Sequence, residues 1–455
     1  MGRKLSLLNG LYKTKFKADG SIERHKARLV IRGFEQIKDK DCKHTFSPVA
    51  ELTTVRIFIA LATAKSWPLH QLDINNAFLH GFIDEEVYMQ PPAGYTKASP
   101  GQVCKLQRSL CGLKQASWQW NLELTRFLLG KGFRQSKSDY SLFSQCHNGR
   151  QVFILAYVDD LLITRDNIDG IARIKKVLHI AYTIKHLGLA RYFLFIEISR
   201  STTGTFLNQR KYILDILSDA GLIGAKLTKF PLPQGLKLSY VSSPVLSNLE
   251  SYRRLVGRLL YLTLSRQDIS YAVQHLSQFL QHPAMAHCQA ALHVLRYLKG
   301  TTSKGLYYPT DCSLHLTAYC DADWGTCILT AKSLTGHCIF LGSSLVSWRT
   351  KKQKTVAKSS AEAEYRAMSA TSSELEWLSN LLQDFNVHLS FPITMNCDNR
   401  AAMHIAENAV FHKRTKHLRI NWHYTRDKIL EGFLQTLYVP SKEQLVDLMT
   451  KPLGE

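Results

Sequence analysis

The sequence predicts two α/β domains joined by a helical connector, and three observations lead to this fold class. Its 455 residues suffice for roughly two to four domains. Strand-like and helix-like patterns alternate in each half, so each half has its own predicted core. A Pro- and Ser-rich segment, 229–248, separates the halves and is the first predicted linker.

The first half begins with basic, β-like residues up to about position 50. Helical periodicity over 51–66 leads into a strand at Leu69–Ile74, and a second helix is predicted at about 114–129. Residues 150–166 contain two apolar runs that meet at a pair of acids, a pattern that predicts a β-hairpin. A helix, further strands and another helix continue to about residue 228.

In the second half, residues 250–300 are predicted to be helical throughout, with Gly300 as a natural end. A new α/β alternation begins near residue 313 with three strands. A long helix from 360 to about 384, a strand, a shorter helix and a closing helical segment follow. The sequence contains no internal repeat.

The charge balance indicates a polyanionic partner. The chain has 58 Lys plus Arg and 36 Asp plus Glu, a net charge of +22, within a globular composition of 45% hydrophobic residues. Such an excess of positive charge most simply fits nucleic acid. The apolar runs are about half as long as a membrane span needs, and no hydrophobic signal opens the chain. The ten scattered cysteines include no C-x-x-C pair, so they are predicted to be reduced structural thiols.

A first set of acids suits a metal site. Asp159 and Asp160 lie at the predicted hairpin tip, and Asp73 lies in the strand that precedes a polar Asn-Asn step. Nucleotidyl transfer uses divalent ions that stabilise charge on the attacking and leaving oxygens, and Mg²⁺ prefers such carboxylates. The alternative is that the paired acids only form a turn and that Asp73 is solvated.

A second set of acids follows in the other half. Asp321 and Asp323 alternate on one strand, so both face the same side. Asp398 ends a later strand, and Asp447 lies on the predicted last helix. The alternative is that acids at strand ends and helix starts are simply favourable there.

The start of the long helix contains two glutamates with different predicted roles. Ser359 and Glu362 have the spacing of a capping box. Glu364 lies two residues further on, about 200° around the helix, so it cannot share the role of Glu362. Glu364 is therefore predicted to point at the strand acids.

Several motifs in a fixed order resemble one protein family. Tyr157–Asp160 resembles the YxDD motif of reverse transcriptases. The surrounding segments are similar to Ty1/copia-type retrotransposon Pol polyproteins from about residue 10 to the C-terminus: KARLVIRGFEQ, TFSPVAELTTVR, LHQLDINNAFLHG, SLCGLKQAS and YRRLVGRLLYLT. The resemblance implies an α+β right-hand polymerase followed by an α/β ribonuclease H-like domain. Fingers and palm would occupy 1–228, a helical thumb or connection 229–312, and the ribonuclease H-like domain 313–455.

The resemblance also implies the chemistry of the first set of acids. The chain would be an RNA-directed DNA polymerase, with Asp73 and Asp159 binding two metal ions and Asp160 supporting them. The ions would be Mg²⁺ or Mn²⁺, two in each active site. An RNA template, a DNA primer, an RNA–DNA hybrid and dNTPs would be its partners, with no membrane partner and no oligomeric state defined.

Four further residues match the nucleotide pocket of that family. Phe78 falls at the position of an aromatic steric gate that excludes a 2′-OH, although a Phe after a strand is also a common core residue. Lys26 and Arg28 match the basic segment that holds the triphosphate, and a solvated charged strand is the alternative. Gly112 resembles a glycine at which the backbone approaches the nucleotide.

The second set of acids resembles a ribonuclease H active site. Asp321, Glu364, Asp398 and Asp447 would hold two Mg²⁺ ions that activate a water against the RNA strand of a hybrid, with Asp323 outside this set. His417 is more typical of a surface or packing histidine than of a catalytic one.

Three residues depart from the family pattern: Cys111 replaces a usual Tyr, Trp118 replaces a usual Arg or small polar residue, and Phe195 replaces a usual Gly. Phe at a glycine position demands an unfavourable backbone conformation or places a ring in the primer path. The alternative hypothesis is therefore a decayed, non-catalytic relic that only binds nucleic acid. The chain is expected to be a fragment of an element, located in the cytoplasm (in a virus-like particle) or the nucleus, and not secreted.

Overall fold

The computed structural model describes residues 8–16, 19, 21–37, 39, 41–43, 45, 47–92, 94–147, 149–166, 168–233, 235–239, 243–407 and 419–452. The chain divides into two compact units. The first unit contains the residues up to Glu51 together with Trp67–Ala190, and the second contains Leu52–Ser66 together with the residues from Arg191. The functional boundaries predicted after residues 228 and 312 are a different division, and they stay predictions.

Strands occur in both units. In chain order they are β1 Leu8–Phe16, β2 Ile22–Ile31, β3 Leu69–Ile74, β4 Phe82–Met89, β5 Cys104–Arg108, β6 Arg134–Gln135, β7 Leu142–His147, β8 Arg150–Tyr157, β9 Asp160–Arg165, β10 Ile184–Leu189, β11 Tyr192–Phe193, β12 Ile196–Arg200, β13 Gly204–Asn208, β14 Leu306–Pro309, β15 Leu316–Asp323, β16 Leu334–Leu341, β17 Ser344–Lys352, β18 Ile393–Cys397 and β19 Leu434–Tyr438.

The α-helices are α1 Leu52–Ala64, α2 Ala116–Gly130, α3 Ile168–Tyr182, α4 Arg210–Asp219, α5 Leu249–Leu262, α6 Ser270–Ser277, α7 Met285–Gly300, α8 Ser360–Asp384, α9 Arg400–Glu407, α10 Arg419–Leu430 and α11 Asp447–Thr450. In the part of the chain that the structure describes, no helix is both long enough and apolar enough to cross a membrane.

The predicted helices at 51–66, 114–129 and 360–384 are confirmed as α1, α2 and α8. The prediction of continuous helix over 250–300 is wrong, because α5 ends at Leu262 and α6 begins at Ser270, and because α6 ends at Ser277 and α7 begins only at Met285. The second gap contains a proline. Pro283 lies in this gap, and proline cannot donate the backbone hydrogen bond that a continuous helix would need.

A six-stranded sheet organises the first unit, with the strand order β10-β3-β9-β8-β7-β6. Its central strands β8 and β9 form the predicted hairpin and are buried along most of their length, as expected for strands covered on both faces. Apolar side chains of α2 and α3, such as Leu124 and Leu178, share one core with Ile154 and Ile163 of the hairpin. The sheet therefore fixes the positions of the acids that it carries.

Two glycines let separate segments of the first unit pass backbone to backbone. Gly112 has a φ of 97°, and a Cβ on it would lie 2.1 Å from the Ile31 carbonyl oxygen. A Cβ on Gly33 would lie 1.8 Å from the Gly112 oxygen. The Ile31 N–H donates to the Cys111 carbonyl at 2.9 Å. This close approach has no room for side chains and holds the end of β2 against the turn that precedes α2.

The second unit contains a helical cluster and two sheets. Helices α4 to α7 share one apolar core, in which Tyr252, Val273 and Leu295 are fully buried. Strands β11 to β14 form an antiparallel sheet, and a five-stranded sheet has the order β17-β16-β15-β18-β19. In the larger sheet β15 is antiparallel to β16 and parallel to β18.

Helix α1 belongs to the second unit, although the segments on both sides of it belong to the first. Its Arg56 is 6% exposed, and the guanidinium donates to the Val346 carbonyl at 2.7 Å and to the Leu264 carbonyl at 3.2 Å. The same group lies 3.9 Å from the centre of the Trp348 ring. Burial lowers the pKa of Arg56 to about 10. One side chain thus connects α1, the turn after α5 and β17.

The β11–β12 hairpin has an unusual two-residue turn. Leu194 and Phe195 have φ values of 49° and 60°, although both carry side chains that disfavour this region. The Tyr261 hydroxyl donates to the Leu194 carbonyl at 2.9 Å, and the half-exposed Phe195 ring lies 5.2 Å from the ring of Tyr212. Phe195 therefore has the positive φ that its position in place of a glycine predicts. Contacts with Tyr261 and Tyr212 stabilise the turn.

Replacing Gly112 by Ala should lower the free energy of unfolding by about 2–4 kcal/mol, since the new Cβ meets the Ile31 oxygen at a positive φ. Gly130→Ala is the matched control, because Gly130 ends α2 with open space around it. Urea denaturation followed by circular dichroism measures both. Equal midpoints for the two variants would contradict the close contact.

Candidate active sites

The first acidic cluster lies at the tip of the β8–β9 hairpin. Val158 and Asp159 form a two-residue turn, and Val158 has a φ of 57°, which is rare for a β-branched residue. The Trp120 indole N–H donates to the Val158 carbonyl at 2.7 Å, and the Ile74 N–H donates to the Asp159 carbonyl at 2.9 Å. Hydrogen bonds from α2 and β3 therefore hold the turn in this conformation.

Strand register brings the three predicted acids of this cluster together. Asp73 on β3 is directly opposite Asp160 on β9, and Asp159 precedes Asp160 in the turn. Burial raises the pKa of Asp160 to about 6; the Gln71 amide, which donates to it at 3.3 Å, opposes this, and the Asp159 and Asp73 charges add to it. A cation would relieve this repulsion, so the carboxylates suit a divalent ion.

The residues predicted for a nucleotide pocket are only partly described. Phe78 lies in a 3₁₀ turn at Ala77–His80, half-buried against two apolar clusters. Arg28 is exposed on β2. Lys26 lies on β2 directly opposite Lys13 of β1, and its side chain is outside the described part of the structure. The close contact with Ile31 explains why residue 112 is a glycine without any bound nucleotide. The nucleotide-binding roles of all four residues stay predictions.

The second acidic cluster lies at one end of the five-stranded sheet and beside α8. Asp321 on β15 is 3% exposed and accepts a hydrogen bond from the Thr450 hydroxyl. Asp398 follows β18 and accepts from the Ser441 hydroxyl at 2.8 Å. Asp447 begins α11 and pairs with Lys451 at 2.7 Å. His417, considered above, lies outside the described residues.

The start of helix α8 separates the roles of Glu362 and Glu364 as predicted. The Glu362 N–H donates to the Ser359 hydroxyl at 3.2 Å, and the Glu362 carboxylate accepts from the Lys358 N–H at 2.9 Å and pairs with Arg366 at 2.6 Å. Glu364 is 5% exposed and faces the acidic cluster. Capping therefore occupies Glu362 and leaves Glu364 beside the acids.

Glu364 is a buried carboxyl group whose hydrogen-bonding capacity is not fully satisfied. Its Oε2 is buried and has no hydrogen-bond partner. Burial, together with the neighbouring Asp321 and Cys397, raises the pKa of Glu364 to about 10. Burial likewise raises the pKa of Asp321 to about 6, against the opposing effects of Thr450 and Lys451. A buried acid with an unsatisfied oxygen among other acids is a suitable metal ligand.

Among the residues that the structure describes, distances identify one group that could hold a metal ion. Ligand atoms of Glu364, Cys397 and Asp398 lie within 4.8 Å of one another. Within the described ranges, the three acids of the first cluster do not form such a group. Sequence reasoning placed Cys397 among the structural thiols, and no spacing signal distinguished it, because only the end of β18 turns both it and Asp398 toward Glu364.

Comparison with known proteins places the chain in a family. The family model for reverse transcriptase (RNA-dependent DNA polymerase) matches residues 4–234. The Pol polyprotein of transposon RE1 from Arabidopsis thaliana is 43% identical over 445 residues, which cover 98% of this chain and 30% of that protein. The Pol polyprotein of transposon TNT 1-94 from Nicotiana tabacum is 36% identical over 452 residues, covering 97% of this chain and 34% of that protein. The chain thus spans about a third of these relatives.

A shorter relative is covered completely. The putative transposon Ty5-1 protein of Saccharomyces cerevisiae is 35% identical over 308 residues, which are 67% of this chain and 100% of that protein. Among solved structures, ribonuclease H1 from Halobacterium salinarum has a TM-score of 0.22 and 18% identity, covering 30% of this chain and 93% of that one. The foamy viral protease–reverse transcriptase in complex with dsDNA has a TM-score of 0.23 and 11% identity, covering 96% of this chain and 75% of that one.

The resemblance to copia-type retrotransposon Pol polyproteins is confirmed by these sequence relatives. The chain belongs to the reverse transcriptase (RNA-dependent DNA polymerase) family.

Proposed function

We propose that the chain is an RNA-directed DNA polymerase with ribonuclease H activity, of the copia-type retrotransposon class. The observation that carries the proposal is the strand register that sets Asp73 opposite Asp160, beside Asp159 in the hairpin turn. These are the acids of the family motif. The net charge of +22 supports an RNA template, a DNA primer and an RNA–DNA hybrid as partners.

In the polymerase half, Asp73 and Asp159 would hold two divalent ions, with Asp160 beside them. When bound, Mg²⁺ or Mn²⁺ would stabilise charge on the attacking and leaving oxygens of nucleotidyl transfer. Trp120 and Ile74 hold the turn so that the Asp159 carboxylate is pre-positioned. Phe78 would exclude a ribonucleotide 2′-OH by contact.

The basic fingers segment and one turn would complete the nucleotide pocket. Lys26 and Arg28 on β2 would pair with the triphosphate of a dNTP, and Arg28 is exposed to do so. Gly112 would let the backbone come close to the nucleotide. Its contact with Ile31 connects this turn to the strand that carries both cations.

In the ribonuclease H half, Asp321, Glu364, Asp398 and Asp447 would hold two further ions. The unsatisfied Glu364 oxygen supports this assignment. A bound ion would supply the partner that this oxygen lacks and would neutralise the repulsion between Glu364 and the neighbouring acids. The proposed reaction is hydrolysis of the RNA strand of a hybrid. The proposal includes fingers and palm at 1–228, thumb or connection at 229–312 and ribonuclease H at 313–455, acting in the cytoplasm within a virus-like particle or in the nucleus.

A second candidate function is nucleic-acid binding by a decayed element without polymerisation. The observation that favours it is the Leu194–Phe195 turn, where two bulky residues have positive φ values and the Phe195 ring is half-exposed. A ring there would obstruct a primer that a glycine would admit. In that case the wild type should extend no primer, and Phe195→Gly should restore primer extension.

Asp159→Asn should lower primer extension on an RNA template with Mg²⁺ by at least about 100-fold. Loss of a residue that only hydrogen-bonds to a metal ligand already lowers activity by up to about 100-fold, and loss of the ligand itself should lower it at least as much. Asp84→Asn, on an exposed residue of β4, is the matched control and should extend normally. Gel analysis of a labelled primer measures both. If the wild type incorporates no more than Asp159→Asn, the polymerase proposal fails and the binding alternative stands.

Asp398→Asn should abolish cleavage of the labelled RNA strand of an RNA–DNA hybrid, since it removes a ligand beside Glu364. The exposed Asp311 supplies the control, and Asp311→Asn should cleave as the wild type does. Cleavage that persists in Asp398→Asn would exclude the assigned ribonuclease H site.

Without metal, Glu364→Gln should melt at a higher temperature than the wild type, and the difference should grow as pH rises. The folded-state pKa of about 10 exceeds the ordinary 4.5, so the native state binds more protons and loses stability between about pH 4.5 and 10. Thermal melts in EDTA at pH 5, 7 and 9 measure this, with Glu443→Gln on an exposed turn as the control. A difference that is independent of pH would contradict the raised pKa.

A further inference from the structure

A basic cavity of about 300 Å³ lies on the second unit between β16, β17 and the first turns of α8. Arg349 and Lys351 on β17 are directly opposite His337 and Thr335 on β16, so these four side chains project from one face of the sheet. Gln353 continues the alternation just beyond β17. Strand register therefore builds one side of the cavity.

Positive charge dominates the cavity. Arg349, Lys351, Lys352, Lys354 and Arg366 line it, and none of its described lining residues is acidic, although Arg366 is paired with Glu362 at 2.6 Å. The structure gives Arg349, Lys351 and Lys354 no carboxylate partner within ion-pair distance among the described residues. Lys352 donates to the neutral Gln278 amide oxygen at 2.8 Å. Such a concentration of cations favours an anionic ligand.

His337 provides an independent sign of a ligand. It is 2% exposed and lines the cavity, yet neither of its ring nitrogens has a hydrogen-bond partner. A buried imidazole without partners costs free energy unless a ligand or water supplies them. Burial, followed by the charge of Arg349, lowers the pKa of His337 to about 3, so the ring is neutral and offers one N–H donor and one acceptor.

Gln353 adds a second unsatisfied group. Its amide nitrogen donates to the Thr335 hydroxyl and to the Ala363 carbonyl, both at 2.9 Å, while its amide oxygen is buried without a partner. The cavity thus offers cationic donors and the imidazole N–H to an anion. The imidazole acceptor and the Gln353 oxygen are available to a hydroxyl group next to that anion.

This cavity is separate from the acidic cluster. Asp321 is opposite Gly336, where a Cβ would meet Thr450 at 2.6 Å, so α11 covers that face of the sheet. His337 is the next residue on β16 and projects from the other face. On α8, Arg366 is two residues beyond Glu364 and about 200° around the helix from it. The cavity and the carboxylates therefore lie on different sides of the same elements.

We propose that this cavity, formed by Arg349, Lys351 and His337, is a phosphate-binding site that takes a backbone phosphate of a nucleic-acid strand. We take this phosphate to belong to an RNA–DNA hybrid, a choice that rests on the proposed function. A phosphate oxygen accepts from the guanidinium and the imidazole N–H, and an adjoining sugar hydroxyl or water donates to the Gln353 oxygen. A free nucleotide could supply a phosphate of the same chemistry and is the other possible ligand.

The test uses the full chain without divalent ions, so that neither catalytic activity is needed. Fluorescence anisotropy measures the affinity for a labelled RNA–DNA hybrid over a range of KCl concentrations. The double variant Arg349→Gln with Lys351→Gln should bind about tenfold more weakly, and its plot of log affinity against log salt should be shallower by about one unit per lost phosphate contact. Phosphorus NMR titrations with inorganic phosphate and with dAMP test the free ligands.

Two further variants separate a pocket from a general loss of charge. Ala370→Trp fills the cavity from an exposed position of α8 without changing charge, and it should weaken binding to a similar degree. Lys226→Gln with Lys229→Gln removes two exposed charges elsewhere and should have a smaller effect. Circular dichroism melts check that each variant folds.

Weaker hybrid binding in both pocket variants, with no binding of the free ligands, would support a strand phosphate. Binding of inorganic phosphate or dAMP that Ala370→Trp abolishes, with hybrid affinity unchanged, would support the site with a free nucleotide as its source. If both pocket variants bind the hybrid and the free ligands as the wild type does, the site does not exist. That result would leave primer extension and hybrid cleavage untouched.

Discussion

The burial of carboxylates close to one another is the constraint on which both candidate sites depend. In the first unit, burial raises the pKa of Asp160, and the charges of Asp159 and of Asp73, which lies opposite it across the β3–β9 register, add to this effect. In the second, burial raises the pKa of both Asp321 and Glu364, and the charges of neighbouring acids add to it in each case. A fold keeps such an arrangement only if the surrounding packing outweighs it or an ion neutralises it. The rigid hairpin turn and the long capped helix supply the packing, and a divalent ion would supply the neutralisation.

Much of this arrangement follows from local rules. The apolar runs on both sides of Asp159 predict the hairpin, and helix geometry alone separates Glu362 from Glu364. Local patterns did not bring Asp73 and the hairpin acids together. The family resemblance implied a shared site, and the fold alone shows that Asp73 and Asp160 are cross-strand partners. The conformation of Phe195 was also foreseeable, because a residue at a glycine position must accept the glycine backbone geometry.

What the sequence did not predict depends on contacts between distant residues. Cys397 lies beside Glu364 only because β18 ends there, and His337 lines a cavity only because β17 and α8 enclose it. The apolar periodicity of 250–300 does not reveal the break before α7, because a single proline interrupts an otherwise regular helical pattern. Arg56 reads as a charge on an otherwise apolar helix, and its burial is set by carbonyl groups more than 200 residues away in sequence.

The membership of α1 in the second unit has a consequence for the order in which the chain folds. The helix is synthesised early, and its Ile57, Phe58 and Leu61 side chains are almost completely buried, while all other residues of its unit follow residue 190. Until those residues emerge from the ribosome, a strongly apolar helix has no partner from its own unit, a situation that promotes aggregation. A fragment that ends at residue 190 would retain the whole six-stranded sheet and the first acidic cluster, yet it would carry α1 without the rest of its unit. The part of the chain that looks most like an independent polymerase module therefore includes a helix whose own unit is built by later residues.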